Sequence, residues 1–254
     1  MDRLIFTSLS AATSQQFNRV QLTNDLANLS TNGYKRSALT TTEAAYLSGP
    51  GHPTRFQPLV LSDVEHVNLM SGPVAYSGND MDIAMNNDTV LGVQAEDGTI
   101  AFTRRGDLRV TVAGTVETGT GDIVMAEGAP LTVPENYLLT ISPDGSVFGN
   151  DPNQEAIEPV LIGQLMLRDA SAVQLVRRID GLYEVQGSNG NGGDFPSGPT
   201  QASLRPGALE GSNVNPVEVM VSLLDLYRSF EMQMKIIKSS EEIDKDGSGM
   251  MSLR

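Results

Sequence analysis

Between Met220 and Ile237, large apolar residues recur at alternating spacings of three and four: Met220, Leu223, Tyr227, Phe230, Met234 and Ile237. That period puts all six on one stripe of a helix, an a/d seam lasting nearly three heptads. Asn215 followed by Pro216 opens the helix, because asparagine caps well and proline's fixed φ suits the first helical position. Val217, Val221 and Leu224 widen the stripe at its start, so the helix can face more than one neighbour. Residues 216–243 are therefore predicted as one helix, about 42 Å long.

The other end of the chain answers it. Few residues from Arg3 to Leu29 break a helix, and Ile5, Leu9, Ala12, Leu22, Leu26 and Leu29 make much of an apolar stripe. Gln16 and Thr23 weaken the heptad. Asn32-Gly33 stops the run, since both residues tolerate a left-handed backbone. A helix over 4–29 would span about 39 Å. Each stripe needs a partner, and the opposite terminus is the obvious one. An isolated two-helix hairpin is marginal once chain ordering is counted, so neighbouring subunits are expected to complete the packing.

Between the helices the period changes to two. "TIAFTRRGDLRVTVAG" alternates Ile100, Phe102, Leu108, Val110 and Val112 around a turn at Gly106. "TVPENYLLTISPDGSVFG" supplies Leu139, Ile141, a Pro-Asp-Gly turn and Val147. "VLIGQLMLRD", "AVQLVRRID" and "GLYEVQG" read as further strands, and the Asp-Gly turns favour antiparallel pairing. "GSNGNGGDFPSGPT" reads as a long flexible loop. The fold class is thus a mainly-β, antiparallel central body inserted between paired terminal α-helices. Residues 1–36 carry the first helix and its exit, 37–75 a connection, 76–208 the β-rich domain, and 209–254 the last helix with a polar tail.

Composition narrows the function. The chain has 254 residues and a net charge of −14. From Thr41 to Glu210 there are 22 acidic and 8 basic residues, and no lysine occurs between Lys35 and Lys235. So acidic a body disfavours nucleic acid as a partner. There is no cysteine, which excludes disulfides, cysteine nucleophiles and thiolate metal sites. No apolar run approaches the roughly 20 residues that span a bilayer, and "MDRLIFTSLSAATSQQ" makes a poor secretory signal.

Candidates for chemistry are weak. "DKDGSG", Asp244 to Gly249, imitates the opening of a calcium loop, but its twelfth position would be residue 255; a frayed polar tail is the better reading. His52 and His66 match no zinc spacing. Asp80 and Asp82 would share a face on a strand and resemble a hydrolytic pair, while Ser62, Asp63 and His66 lack a nucleophile elbow. Asn28-Leu29-Ser30 fits a glycosylation pattern, yet a structural asparagine suits a helix end better. Lys35-Arg36 offers an anion contact but is better read as facing solvent or a subunit. No enzyme, cofactor or metal site is expected.

Three blocks carry a resemblance. "NDLANLSTNGYKR" (24–36), "DGTIAFTRRGDLRV" (97–110) and "LEGSNVNPVEVMVSLLDLYRSFEMQMKIIKSSEE" (209–242) resemble, in that order, the signatures of the bacterial flagellar rod and hook family. The opening "MDRLIFTSLSAA" and the closing helix resemble its proximal-rod members more than its distal-rod or hook members. "NNDTVLGV" (86–93) departs from a glycine-rich, doubly aromatic strand entrance found in relatives. The resemblance implies a structural subunit of the periplasmic rod of the flagellar basal body, which transmits motor torque. It implies export without a cleaved signal by the flagellar export apparatus, no membrane insertion, and other proximal and distal rod proteins as partners. Its implied assembly contacts are Leu26, Leu29, Met220, Leu223, Tyr227, Phe230, Met234 and Ile237, with Asn28, Asn32 and Gly33 shaping the exit from the first helix. A distal-rod or hook subunit, or a secreted β-rich binding module, is the alternative.

Overall fold

A computed structural model describes residues 2–38, 43–44, 59–60, 66–134, 137–151, 159–187 and 193–252. The chain divides into two compact units, residues 1–30 with 214–254 and residues 31–213. The fold class is the expected one: many short strands flanked by two helices.

The first unit is a helix pair. Helix α1 runs Asp2–Ala27, ending two residues earlier than the apolar stripe predicts. Asn28 closes it by donating its side-chain amide to the Asn24 carbonyl at 3.0 Å and to the Asn24 side-chain oxygen at 2.7 Å. Leu29 then lies in a turn. Helix α2 runs Pro216–Ser252. Asn215 Oδ1 accepts from the amides of Val217 at 3.0 Å and Glu218 at 3.5 Å, which satisfies donors that a helix start leaves open. Glu218 in the first turn complements the helix dipole. The helix continues past the predicted end at residue 243, so the polar tail is helical rather than frayed. Glu241, Glu242 and Lys245 are good helix formers, and Gly247 and Gly249 cost about 1 kcal/mol each without breaking the run.

Among the described residues, the strand pairs of the second unit are antiparallel. Its main sheet has the order Leu175–Arg177, Tyr183–Val185, Ile100–Thr103, Thr89–Gln94, Ile123–Ala126, Val116–Thr118, Leu108–Val110. Ala129–Pro130 adds to Ile123–Ala126, and Leu167–Asp169 adds to Thr89–Gln94. A separate three-stranded sheet joins Leu138–Ile141, Ser146–Asn150 and Val160–Gln164, its first hairpin turning at the predicted Pro143-Asp144-Gly145. Alternation puts Leu91 and Val93 in one apolar cluster with Ile83, Val116 and Leu165, and Val90 in another with Phe102, Met166 and Tyr183. Thr89–Val93 is consequently buried on both faces.

Two local readings change. The Gly106 turn does not fold Ile100–Thr103 back on Leu108–Val110; those strands pair with Thr89–Gln94 and Val116–Thr118 respectively. Gly106 instead lies against Ile83, whose amide bonds its carbonyl at 2.9 Å, and a Cβ there would fall 1.7 Å from the Ile83 oxygen. The glycine serves close approach rather than a hairpin. The loop expected to be flexible is anchored over its described part. Phe195 is buried edge-on against Phe102 at 4.7 Å, and the Asp169 carboxylate accepts the Thr200 amide at 2.8 Å.

Candidate assembly surface and the buried ion cluster

The side chains with the deepest unusual burial are charged. Lys35, Arg104 and Glu210 meet inside the β unit, with 0%, 0% and 2% of their surfaces exposed. Lys35 Nζ donates to Glu210 Oε1 at 2.7 Å and to the Met70 carbonyl at 2.9 Å. Arg104 clasps both Glu210 oxygens through Nε and Nη2, each at 3.0 Å in its respective bond. Its remaining donors reach the carbonyls of Asn87, Thr89 and Met85. The Gly72 amide adds a bond to Glu210 Oε1 at 3.0 Å. A buried ion costs little only when paired and fully hydrogen-bonded, and this guanidinium meets both conditions. Burial, then the neighbouring Arg104 charge, lowers the Lys35 ammonium from its usual 10.5 to about 8, against the pull of Glu210.

Backbone bonds lace the same place together. The Gly33 amide donates to the Glu210 carbonyl at 2.7 Å, and Asn213 donates its amide to the Tyr34 carbonyl at 3.3 Å. Asn213 Oδ1 accepts the Arg36 amide at 2.7 Å, while its Nδ2 donates to the Asn68 carbonyl at 2.9 Å. Arg177 stacks over the Tyr34 ring at 4.4 Å and donates to the Lys35 carbonyl. Gly33 has a φ of +69°, and a Cβ on it would meet the Arg104 carbonyl oxygen at 2.3 Å. Only glycine fits that backbone and that contact.

This corrects the reading of Lys35 as a solvent or subunit contact: it is a core residue, and Arg36 is half-buried. Each member of the cluster comes from a different one of the three signature blocks. Sequence reasoning marked the blocks without seeing that they converge. The signal it held was one lysine, Lys35, in the first 234 residues. The departure at residues 86–93 contributes as well, since Asn87 takes a left-handed φ of 46° and gives its carbonyl to Arg104.

The helix unit presents the second feature. Gln15 Nε2 bonds Ser229 Oγ at 2.5 Å, and the Arg19 guanidinium lies over the Tyr227 ring at 5.5 Å. As the number rises on α1 it falls on α2, so the helices are antiparallel. The covered positions of α2 are Val219, Ser222, Leu223, Leu226, Ser229, Gln233, Ile237 and Ser240. At 100° per residue that stripe is turned by roughly a quarter turn from the predicted seam. Only Leu223 and Ile237 of the seam are half-covered. Met220, Tyr227, Phe230 and Met234 stay 53%, 47%, 44% and 38% exposed. α1 of the same chain thus meets the seam only in part, reaching Tyr227 through Arg19, while the covered stripe of α2 mixes Ser222, Ser229, Gln233 and Ser240 with apolar residues. On α1, Leu22 is buried and Leu26 half-buried, as is Leu29 in the turn that follows, whereas Phe17 and Val20 are exposed.

The remaining candidates separate. Asp80 is exposed in a turn while Asp82 is buried in a bridge to Asp107 and bonded by Asn79, so they share no face. Asp244 to Gly249 lies in helical backbone, which a calcium loop's turn cannot share. His52 and Ser62 to Glu65 fall outside the described residues. Among the described residues no group of three or more His, Cys, Asp or Glu side chains could hold a metal ion, and no helix is long and apolar enough to cross a membrane.

Comparison with known proteins adds the context. Residues 205–250 match the flagellar basal body rod FlgEFG protein C-terminal family, and residues 84–149 match the flagellar hook protein FlgE/F/G D1 domain. The flagellar basal-body rod protein FlgF of Salmonella typhimurium strain LT2 is 34% identical over 255 residues, covering all of both chains. FlgF of Escherichia coli K12 is 34% identical over 95% of each chain. FlgG of Buchnera aphidicola subsp. Schizaphis graminum is 27% identical over 94% of this chain and 96% of its own.

Proposed function

The chain belongs to the FlgE/F/G family of flagellar rod and hook proteins, and we propose that within it the chain is a proximal-rod subunit of the FlgF type. In this reading it reaches the periplasmic rod through the flagellar export apparatus and sits among other proximal and distal rod subunits. Leu26, Leu29, Met220, Leu223, Tyr227, Phe230, Met234 and Ile237 carry its assembly contacts, and Asn28, Asn32 and Gly33 set the exit from α1. Its work is mechanical rather than catalytic.

The observation that carries this is the exposed part of the α2 seam, Met220, Tyr227, Phe230 and Met234. Monomeric proteins rarely leave so long a row of large apolar side chains in water, and such rows mark interaction surfaces. A helical layer shared by many subunits would cover it and spread torsional load over many contacts. The 34% identity to two FlgF relatives over nearly their whole lengths supports the proximal-rod assignment.

Complementation tests it. Expressed in a flagellated strain lacking FlgF, the chain should restore swimming; in one lacking FlgG it should not. Rescue of only the second strain would reassign the chain to the distal rod. The variant Tyr227→Ser/Phe230→Ser should lose rescue while its β unit keeps its unfolding transition, because neither residue belongs to that unit.

A further inference from the structure

The strand pairs of the β unit are antiparallel, but the two ends of that unit lie side by side running the same way. The chain enters the unit through residues 33–36 and leaves it through 210–213. The Gly33 amide donates to the Glu210 carbonyl at 2.7 Å, the Tyr34 carbonyl accepts the Asn213 amide at 3.3 Å, and the Arg36 amide reaches Asn213 Oδ1 at 2.7 Å. Partner numbers rise together. The outer end of the first segment therefore lies beside Glu210, and the outer end of the second lies beside Tyr34 and Arg36. Tension that draws these ends apart slides one segment along the other and stretches all the bonds between them at once. In a hairpin pulled open from its two ends, the bonds break one after another.

Each segment is also fixed to the interior independently. Arg104 holds Glu210, whose strand Ala208–Glu210 pairs with Val74–Tyr76. Asn213 Nδ2 donates to the Asn68 carbonyl at 2.9 Å, Lys35 Nζ to the Met70 carbonyl at 2.9 Å, and the Tyr183 hydroxyl to the Gly33 carbonyl at 3.4 Å. Lys35, Arg104 and Glu210 are at most 2% exposed, so no water stands ready to replace their bonds as they stretch. Charge-assisted bonds in such a site are stronger than the same bonds at a wet surface.

We infer that residues 33–36 and 210–213 form a shear clamp, locked by the Lys35–Glu210–Arg104 cluster, through which the β unit withstands tension between its two helix connections. The inference rests on the rod-subunit reading for its use and deepens it by naming the residues that carry mechanical load. Lys35 and Asn213 join the two segments to each other, and Arg104 anchors the joint in the core.

Because the chain has no cysteine, pulling handles can be placed at chosen sites. Full-length Ser30→Cys/Val217→Cys protein, held by DNA handles in an optical trap, is pulled across both ends of the β unit. Full-length Val112→Cys/Ile179→Cys protein is pulled between two exposed turns outside the clamp. The length released identifies rupture of the β unit. Forced rupture follows the unfolding barrier along the pulled direction, so the first geometry should need about twofold more force than the second. Lys35→Met and Asn213→Ala should each remove most of that difference and leave the second geometry unchanged. Equal forces in the two geometries, or a variant loss of the same size in both, would overturn the clamp, since a residue that only stabilises the fold weakens every pulling direction. Rescue of the strain lacking FlgF by the unsubstituted chain reads the rod assignment separately. Rescue without directional strength sinks only the clamp, whereas directional strength without rescue sinks only the assignment.

Discussion

Glu210 answers two cations at once, the Lys35 ammonium and the Arg104 guanidinium, and the three do not contribute alike. Glu210→Ala strands both positive charges in the core, and breaking a buried pair in this way costs about 3–5 kcal/mol. Lys35→Met leaves the bidentate Arg104–Glu210 pair in place and removes a cation that burial and Arg104 both disfavour, so its cost should stay within about 1.5 kcal/mol. Urea unfolding at pH 7 gives the ordering; equal losses would refute this account of the cluster. The wild-type chain should also show a pH signature that Lys35→Met lacks. The folded ammonium titrates at about 8 and the unfolded one at 10.5. Between those values the unfolded state holds more protons, so this residue's contribution to stability rises with pH across that window.

At the scale of elements, α2 turns its weaker stripe inward. Ser222, Ser229, Gln233 and Ser240 of α2 are covered, and Gln15 Oε1 and Gln233 Oε1 have no hydrogen-bond partner among the described residues. A buried polar atom without a partner costs about 1–3 kcal/mol. Gln15→Leu combined with Gln233→Leu should therefore stabilise the pair, raising the midpoint at which helical circular dichroism is lost on heating the free chain. A lowered midpoint would mean that the amides do hold the helices together. The strands follow the opposite logic: Thr89–Val93 is buried on both faces because apolar clusters lie on each side of it. That double burial gives the β unit its core.

At the scale of the whole molecule, two units of such different construction should not unfold together. Hydrogen exchange on the free full-length chain should show residues 2–27 and 216–252 exchanging fast, with the strands around Val90, Phe102 and Val124 slow. Assembly with neighbouring rod subunits should slow the helices selectively. Helices as protected as the central strands in the free chain, and unchanged by partners, would refute assembly-coupled ordering.

Much of this protein follows from sequence alone, because periodicity is a local property. The switch from a three-to-four spacing to a spacing of two set both helices, most strands and the fold class, and Asn215-Pro216 marked the start of α2. Three signature blocks point to the family from sequence alone. What tertiary structure alone decided is which groups meet. Lys35 is one polar residue just past a turn until Arg104 and Glu210, 69 and 175 positions away, close around it. The apolar stripe of α2 was legible, but which of its neighbouring stripes α1 would cover was not. A seam records that a helix has a partner; rotation about the helix axis, chosen by packing with the other helix, determines which face is left for the next molecule.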